Sequence, residues 1–80
     1  MNMIGKVLRY MRSKSNYRQD EVSKIAGVAR NTISQYETET IQPTFDMIEK
    51  IANKCGYKVY FESNDGSDRF QSKDIIRKDV

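Results

Sequence analysis

Eighty residues, 38% hydrophobic and 31% charged with a net charge of +3, suit one small globular domain and exclude a disordered chain. Histidine is absent and Cys55 is the single cysteine, which excludes an intrachain disulfide and a Cys/His metal site. No apolar run approaches the ~20 residues of a membrane span and no signal-peptide stretch opens the chain, so the expected setting is the reducing cytoplasm.

A domain this short buries only ~60% of the surface its unfolded chain exposes, so a symmetric partner is an expected source of extra stability. The charge is unevenly placed. Lys6, Arg9, Arg12, Lys14 and Arg18 occupy the first eighteen residues without a single acid, whereas the last twenty-four carry five basic and five acidic residues. A basic half beside a neutral tail fits a phosphate-facing side, and it also fits ordinary solubilising charge.

Ile4, Val7, Leu8 and Met11 fall at i, i+3, i+4 and i+7, the stripe of an amphipathic helix over about residues 3–13. Residues 19–26 read as a second, short helix with Val22, Ile25 and Ala26 inward and with Asp20 and Glu21 at its positive end. Gly27 follows as a natural left-handed stop. Residues 29–37 read as a third helix with Ile33 and Tyr36 inward, and Val28 can plug the junction. Two helices joined by so short a turn, glycine first, cannot lie antiparallel. They cross steeply, as in a helix-turn-helix.

Residues 38–44 are polar, contain the only proline, Pro43, and read as a loop. Thr44 is placed to cap a fourth helix with Asp46 in its first turn, and Gly56 to end it. Phe45, Ile48, Ile51, Ala52 and Cys55 mark its inward side. Residues 57–62 then change character, being rich in β-branched and aromatic types: Tyr57, Val59 and Phe61 share one face, Lys58, Tyr60 and Glu62 the other. Asn64-Asp65-Gly66 is a turn signal that permits a return strand over residues 69–71, and Ser72 can cap a last helical turn through Ile75 and Ile76.

With four helices in place, a set of residues acquires a familiar spacing: Ile4-Gly5-Lys6-Val7-Leu8-Arg9, Arg12, Gln19-Asp20-Glu21-Val22-Ser23, the run Gly27-Val28-Ala29-Arg30-Asn31-Thr32-Ile33-Ser34-Gln35-Tyr36-Glu37, then Gln42-Pro43-Thr44, Ile48 and Ile51-Ala52. Over about residues 4–56 the chain resembles the Cro/C1-type, or xenobiotic-response-element type, helix-turn-helix family of phage repressors and bacterial regulators. The resemblance implies a mainly α fold, a four-helix, lambda-repressor-like helix-turn-helix domain over residues 1–56; over residues 57–80, where many relatives carry a fifth helix for dimerisation, this chain's own residues read instead as a strand or hairpin used for dimerisation. It also implies a sequence-specific transcriptional regulator, a homodimeric repressor of a palindromic operator in double-stranded DNA that often regulates its own gene.

The third helix then becomes the recognition helix, with Arg30, Asn31, Ser34 and Gln35 on the face opposite Ile33 and Tyr36. Arg can fork onto guanine O6 and N7, and Asn or Gln can pair with adenine N6 and N7. Phosphate contacts are expected from Lys6, Arg18, Gln19, Thr32, Thr38, Thr40 and Gln42. The alternative is that these polar side chains only solvate an exposed helix. In similar proteins the counterparts of Arg12 and Glu37 form an internal ion pair, so neither is assigned to DNA. The chain departs from the family in three places: Arg18 and Ala29 replace side chains that cap the second and third helices, and Thr38-Glu39 replaces an Asn-Gly pair.

The tail offers Tyr57, Val59, Tyr60 and Phe61 as a dimer surface, because an exposed aromatic strand needs its edge paired. Folding back onto its own domain is the other way to satisfy it. Strand-ended relatives include Cro-like proteins and antitoxins, so a toxin protein is an alternative partner. The carboxylates are scattered and Cys55 lies on a buried helical face, so no enzymatic activity and no cofactor are expected.

Overall fold

The computed structural model describes residues 3–75 and contains α1 (Ile4–Lys14), α2 (Gln19–Ala26), α3 (Arg30–Glu37), α4 (Phe45–Lys54), β1 (Phe61–Glu62), β2 (Arg69–Phe70) and α5 (Ser72–Ile75). Leu8, Met11, Val22, Ala26, Ile33, Tyr36, Ile51, Ala52 and Cys55 form one buried cluster drawn from all four long helices and the residue that ends α4. Ile4, Tyr17, Val28, Met47, Ile48 and Val59 pack around it.

The helices end where local chemistry ends them. Gly27 takes φ +74°, and its N–H and that of Val28 both donate to the Ser23 carbonyl, closing α2. Thr44 accepts from the Met47 N–H at 3.2 Å and so caps α4. At α2 the N-cap, Arg18, makes no side-chain cap bond, and Glu21 reaches back to accept from the Arg18 N–H at 2.8 Å, the half of a capping box that does not depend on the N-cap side chain. Ala29 is the N-cap of α3, so that helix begins one residue later than its pattern suggested.

Three inward assignments are corrected. Val7 is exposed, because the buried arc of α1 is centred on Leu8 and extends to Gly5 and Arg12, two positions that no hydrophobic pattern registers. Ile25 is exposed because Ser23 takes the inward place on α2, its hydroxyl donating to the Asp20 carbonyl at 2.8 Å. Phe45 is exposed, its ring stacked on Phe61 with centroids 5.9 Å apart rather than entering the core.

Beyond Gly56 the expected six-residue strand shrinks to two residues. Phe61 pairs with Phe70 and Glu62 with Arg69, antiparallel. Residues 57–60 lie outside the ladder, since β2 is too short to extend it. Asp65 organises the turn: its Oδ1 accepts from the Ser63 and Ser67 hydroxyls and from the Ser67 N–H, which holds its carboxyl at about 2, below the ordinary value of 3.8. Ser72 is not the expected cap. Its hydroxyl donates to Glu49 on α4 at 2.7 Å, while Asp74 reaches back to the Gln71 N–H at 2.8 Å. The part of that turn assigned to Ile76 lies outside the described residues.

Candidate nucleic-acid interface

On α3, Ile33 and Tyr36 are buried, which turns the opposite edge outward: Arg30 and Asn31 are exposed, and Thr32, Ser34 and Gln35 are half-buried. Among the described residues, Arg30, Asn31 and Gln35 make no side-chain hydrogen bond within the chain. Their donors and acceptors therefore face outward uncommitted. The backbone that carries them is closely held.

That hold comes from one carboxylate. Glu37, with a side chain only 5% exposed, accepts from Arg12 Nε at 2.6 Å, Arg12 Nη2 at 2.9 Å and Gln19 Nε2 at 3.1 Å. Arg12 Nη1 donates onward to the Tyr17 carbonyl at 2.8 Å. The hydrogen bond to Glu37 raises the Arg12 pKa above its ordinary value. The ion pair expected between Arg12 and Glu37 is present, and Gln19 joins it. One network thus ties α1, the start of α2 and the end of α3.

The candidate phosphate contacts meet different fates. Lys6 is exposed on α1. Arg18 is exposed and bonded to Asp20 at 3.0 Å, an exchangeable surface pair that lowers the Asp20 pKa. Gln19 is half-buried and gives one amide hydrogen to Glu37, which leaves its second for an external acceptor. The Thr38 hydroxyl lies 3.0 Å from the Ser34 carbonyl and 2.9 Å from the Thr40 hydroxyl, so this pair is satisfied internally and reaches a phosphate only by exchanging a hydrogen. The N–H groups of residues 38–41 also bond within the chain. Gln42 is exposed in the same loop.

Two residues of the scaffold make contacts that the apolar pattern does not show, although Glu39 stands out in the sequence in the place of a family glycine. Gly5 sits so close to the end of α3 that a Cβ there would fall 2.5 Å from the Tyr36 carbonyl oxygen and 2.9 Å from that of Glu37. Glu39 takes φ +62°, the conformation that glycine would adopt without penalty, and its Cγ lies over Gly5. Its Oε2 is buried with no hydrogen-bond partner among the described residues. The carboxylate folds inward against α1. The close-approach signal was Gly5, legible only in hindsight as a helix glycine on the buried side.

An α2–turn–α3 pair closed by Gly27, with an uncommitted polar edge on α3, braced by the Arg12–Glu37 ion pair and set in a four-helix body, defines a helix-turn-helix DNA-binding domain. The chain matches the helix-turn-helix family over residues 8–61 and belongs to it, as a member of the xenobiotic-response-element (Cro/C1) type of DNA-binding transcriptional regulators. It is also similar to Antitoxin PezA of Streptococcus pneumoniae serotype 4 (strain ATCC BAA-334 / TIGR4), 35% identical over 52 residues. That match covers 65% of this chain but 33% of the antitoxin, so the chain spans about a third of that relative. No solved structure matches the chain. No helix among the described residues is long and apolar enough to cross a membrane.

Proposed function

We propose that the protein is a cytoplasmic homodimeric repressor that occludes a palindromic operator and regulates its own gene. Arg30, Asn31, Ser34 and Gln35 read base edges in the major groove. Lys6, Arg18, Gln19, Thr32, Thr38, Thr40 and Gln42 hold the phosphate backbone, with Gln19 offering its second amide hydrogen. The observation that carries this reading is the outward polar edge of α3, free of internal partners while Ile33 and Tyr36 anchor the other side. Eight residues of α3 span about 12 Å and read one half-site, and a twofold copy would present a second recognition helix about 34 Å away.

Footprinting on the protein's own promoter, followed by binding titrations, tests the reading. Arg30→Ala and Gln35→Ala should each weaken operator binding about 5- to 150-fold with the fold unchanged. Lys6→Ala should weaken all sequences alike and reduce the salt slope by about 1. Unchanged operator affinity in both α3 variants would remove the base-reading assignment.

Similarity to an antitoxin supports a second reading, in which the protein also binds a toxin protein. Co-purification of a neighbouring gene product with the chain favours it. A homodimer that binds the operator at full affinity without a companion favours the plain repressor.

A further inference from the structure

Outside the proposed recognition edge, two groups of exposed apolar residues stand out among the described residues. Along α1 and its N-cap, Met3, Val7 and Tyr10 follow at i, i+4 and i+7, with Lys6, Arg9 and Lys14 exposed on the same helix and Lys14 Nζ 5.9 Å from the Tyr10 ring centre. At the hairpin, Phe45, Phe61 and Phe70 form a continuous stack, with centroids 5.9 and 5.6 Å apart. Phe45 is 41% and Phe61 49% exposed, a large wetted area for rings already in register.

We propose that a second copy of this chain covers the Phe45–Phe61–Phe70 stack, and that this ring face, rather than a strand edge, holds the dimer. The inference rests on the homodimer reading above and names its contact surface. Charge separates the two surfaces. A twofold axis through the α1 stripe brings Lys6, Arg9 and Lys14 against their own copies, which like-charge repulsion opposes. On the hairpin, Phe61 and Phe70 are directly paired and share one face, while Glu62 and Arg69, bonded at 2.7 Å, project from the other, because side chains alternate along a strand. A ring face from which these charges point away can meet its own copy without setting them against their like.

Length separates the face from the edge. β1 and β2 are two residues each, and one side of β1 is already occupied by β2. A ladder that short gives a partner little to pair with. Burying an aromatic side chain removes about 150–250 Å² from water, so the open fractions of Phe45 and Phe61 amount to roughly 150–200 Å² per copy. That is the scale of the central anchor cluster in an interface of about 800 Å² per side.

Analytical ultracentrifugation of the full chain without DNA tests the proposal independently of operator binding. The wild type should be a dimer, Phe45→Ser and Phe61→Ser should each weaken dimerisation at least tenfold, and Val7→Ser should leave it unchanged. Hydrogen exchange on the wild type needs no variant to fold. On dilution, protection should fall around residues 44–47 and 59–71 and stay constant along α1. A dimer that survives both Phe variants, or one whose dilution-sensitive amides lie on α1, overturns the ring face while leaving the homodimer standing. A wild type that is monomeric at every concentration overturns both.

Discussion

The helical body and the hairpin tail satisfy their residues in different ways. Every fully buried hydrophobic residue among those described lies between Leu8 and Cys55, and the Glu37 carboxylate, 5% exposed, has three donors from two other helices. Residues 57–75 bury nothing completely. They are held by a two-residue ladder, a carboxylate-centred turn and the Ser72–Glu49 contact, and they leave rings in water. The body is finished within one chain, and a rigid scaffold of that kind is what the proposed base-reading edge would need. The tail is left open, with Phe61 49% exposed.

The strongest way to break the body is to remove its central carboxylate. Glu37→Ala leaves the Arg12 guanidinium, 16% exposed, without its counter-ion, and loss of one partner from a buried pair costs about 3–5 kcal/mol. For a domain of this size that lowers Tm by more than about 10 °C, measurable by calorimetry. The double variant Arg12→Met/Glu37→Met should recover much of the loss, because no unpaired charge remains. DNA binding should not recover with it, since Gln19 would lose the acceptor that orients it.

Next in size is the α1–α3 contact. Gly5→Ala pushes a methyl into two backbone carbonyls that cannot rotate aside, and overpacking of this sort costs about 1–3 kcal/mol. Glu39→Gly should act in the opposite direction. A left-handed L-residue carries a penalty of about 1–2 kcal/mol that glycine does not, and the change also removes a buried oxygen with no partner. A Tm several degrees above wild type is expected. A lower Tm would mean that the carboxylate stabilises the positive end of α1 by more than the backbone costs.

These two positions also mark where the sequence was readable and where it was not. The four long helices, the Gly27 stop, the Thr44 cap and the Arg12–Glu37 pair follow from local pattern or from family likeness, because each depends on neighbours a few residues away or on a recurrent spacing. Inward faces were misread wherever a small or polar residue took the buried place: Gly5 and Arg12 displaced Val7, and Ser23 displaced Ile25. Hydrophobic periodicity counts methyl groups and cannot see a backbone contact or a satisfied hydroxyl. The strand failed for another reason. Residues 57–62 have strand composition throughout, but a ladder extends only as far as its partner, and β2 stops after Phe70. On α3 the outward residues could be placed from spacing alone. The internal engagement of Gln19, Thr38 and Thr40 could not, since it depends on how three elements meet.

The smallest predicted effect isolates the tail from the body. The Asp65 carboxyl is held at about 2 by the Ser67 and Ser63 donors, against an ordinary 3.8. Its folded pKa is depressed, so its contribution to the hairpin is present above the unfolded value. It is lost as pH falls from about 4 through 2, where the unfolded form binds the proton more readily. Nothing equivalent applies to the Arg12 guanidinium, which stays charged throughout that window. Amide resonances of residues 63–68 should therefore shift and exchange faster between pH 4 and pH 2, with Asp65→Ala producing the same change at neutral pH. The core amides around Val22, Ile33 and Ala52 should not follow Asp65→Ala. If they do, the hairpin is no appendage but a cooperative part of the folding unit, and the division between the two regions fails.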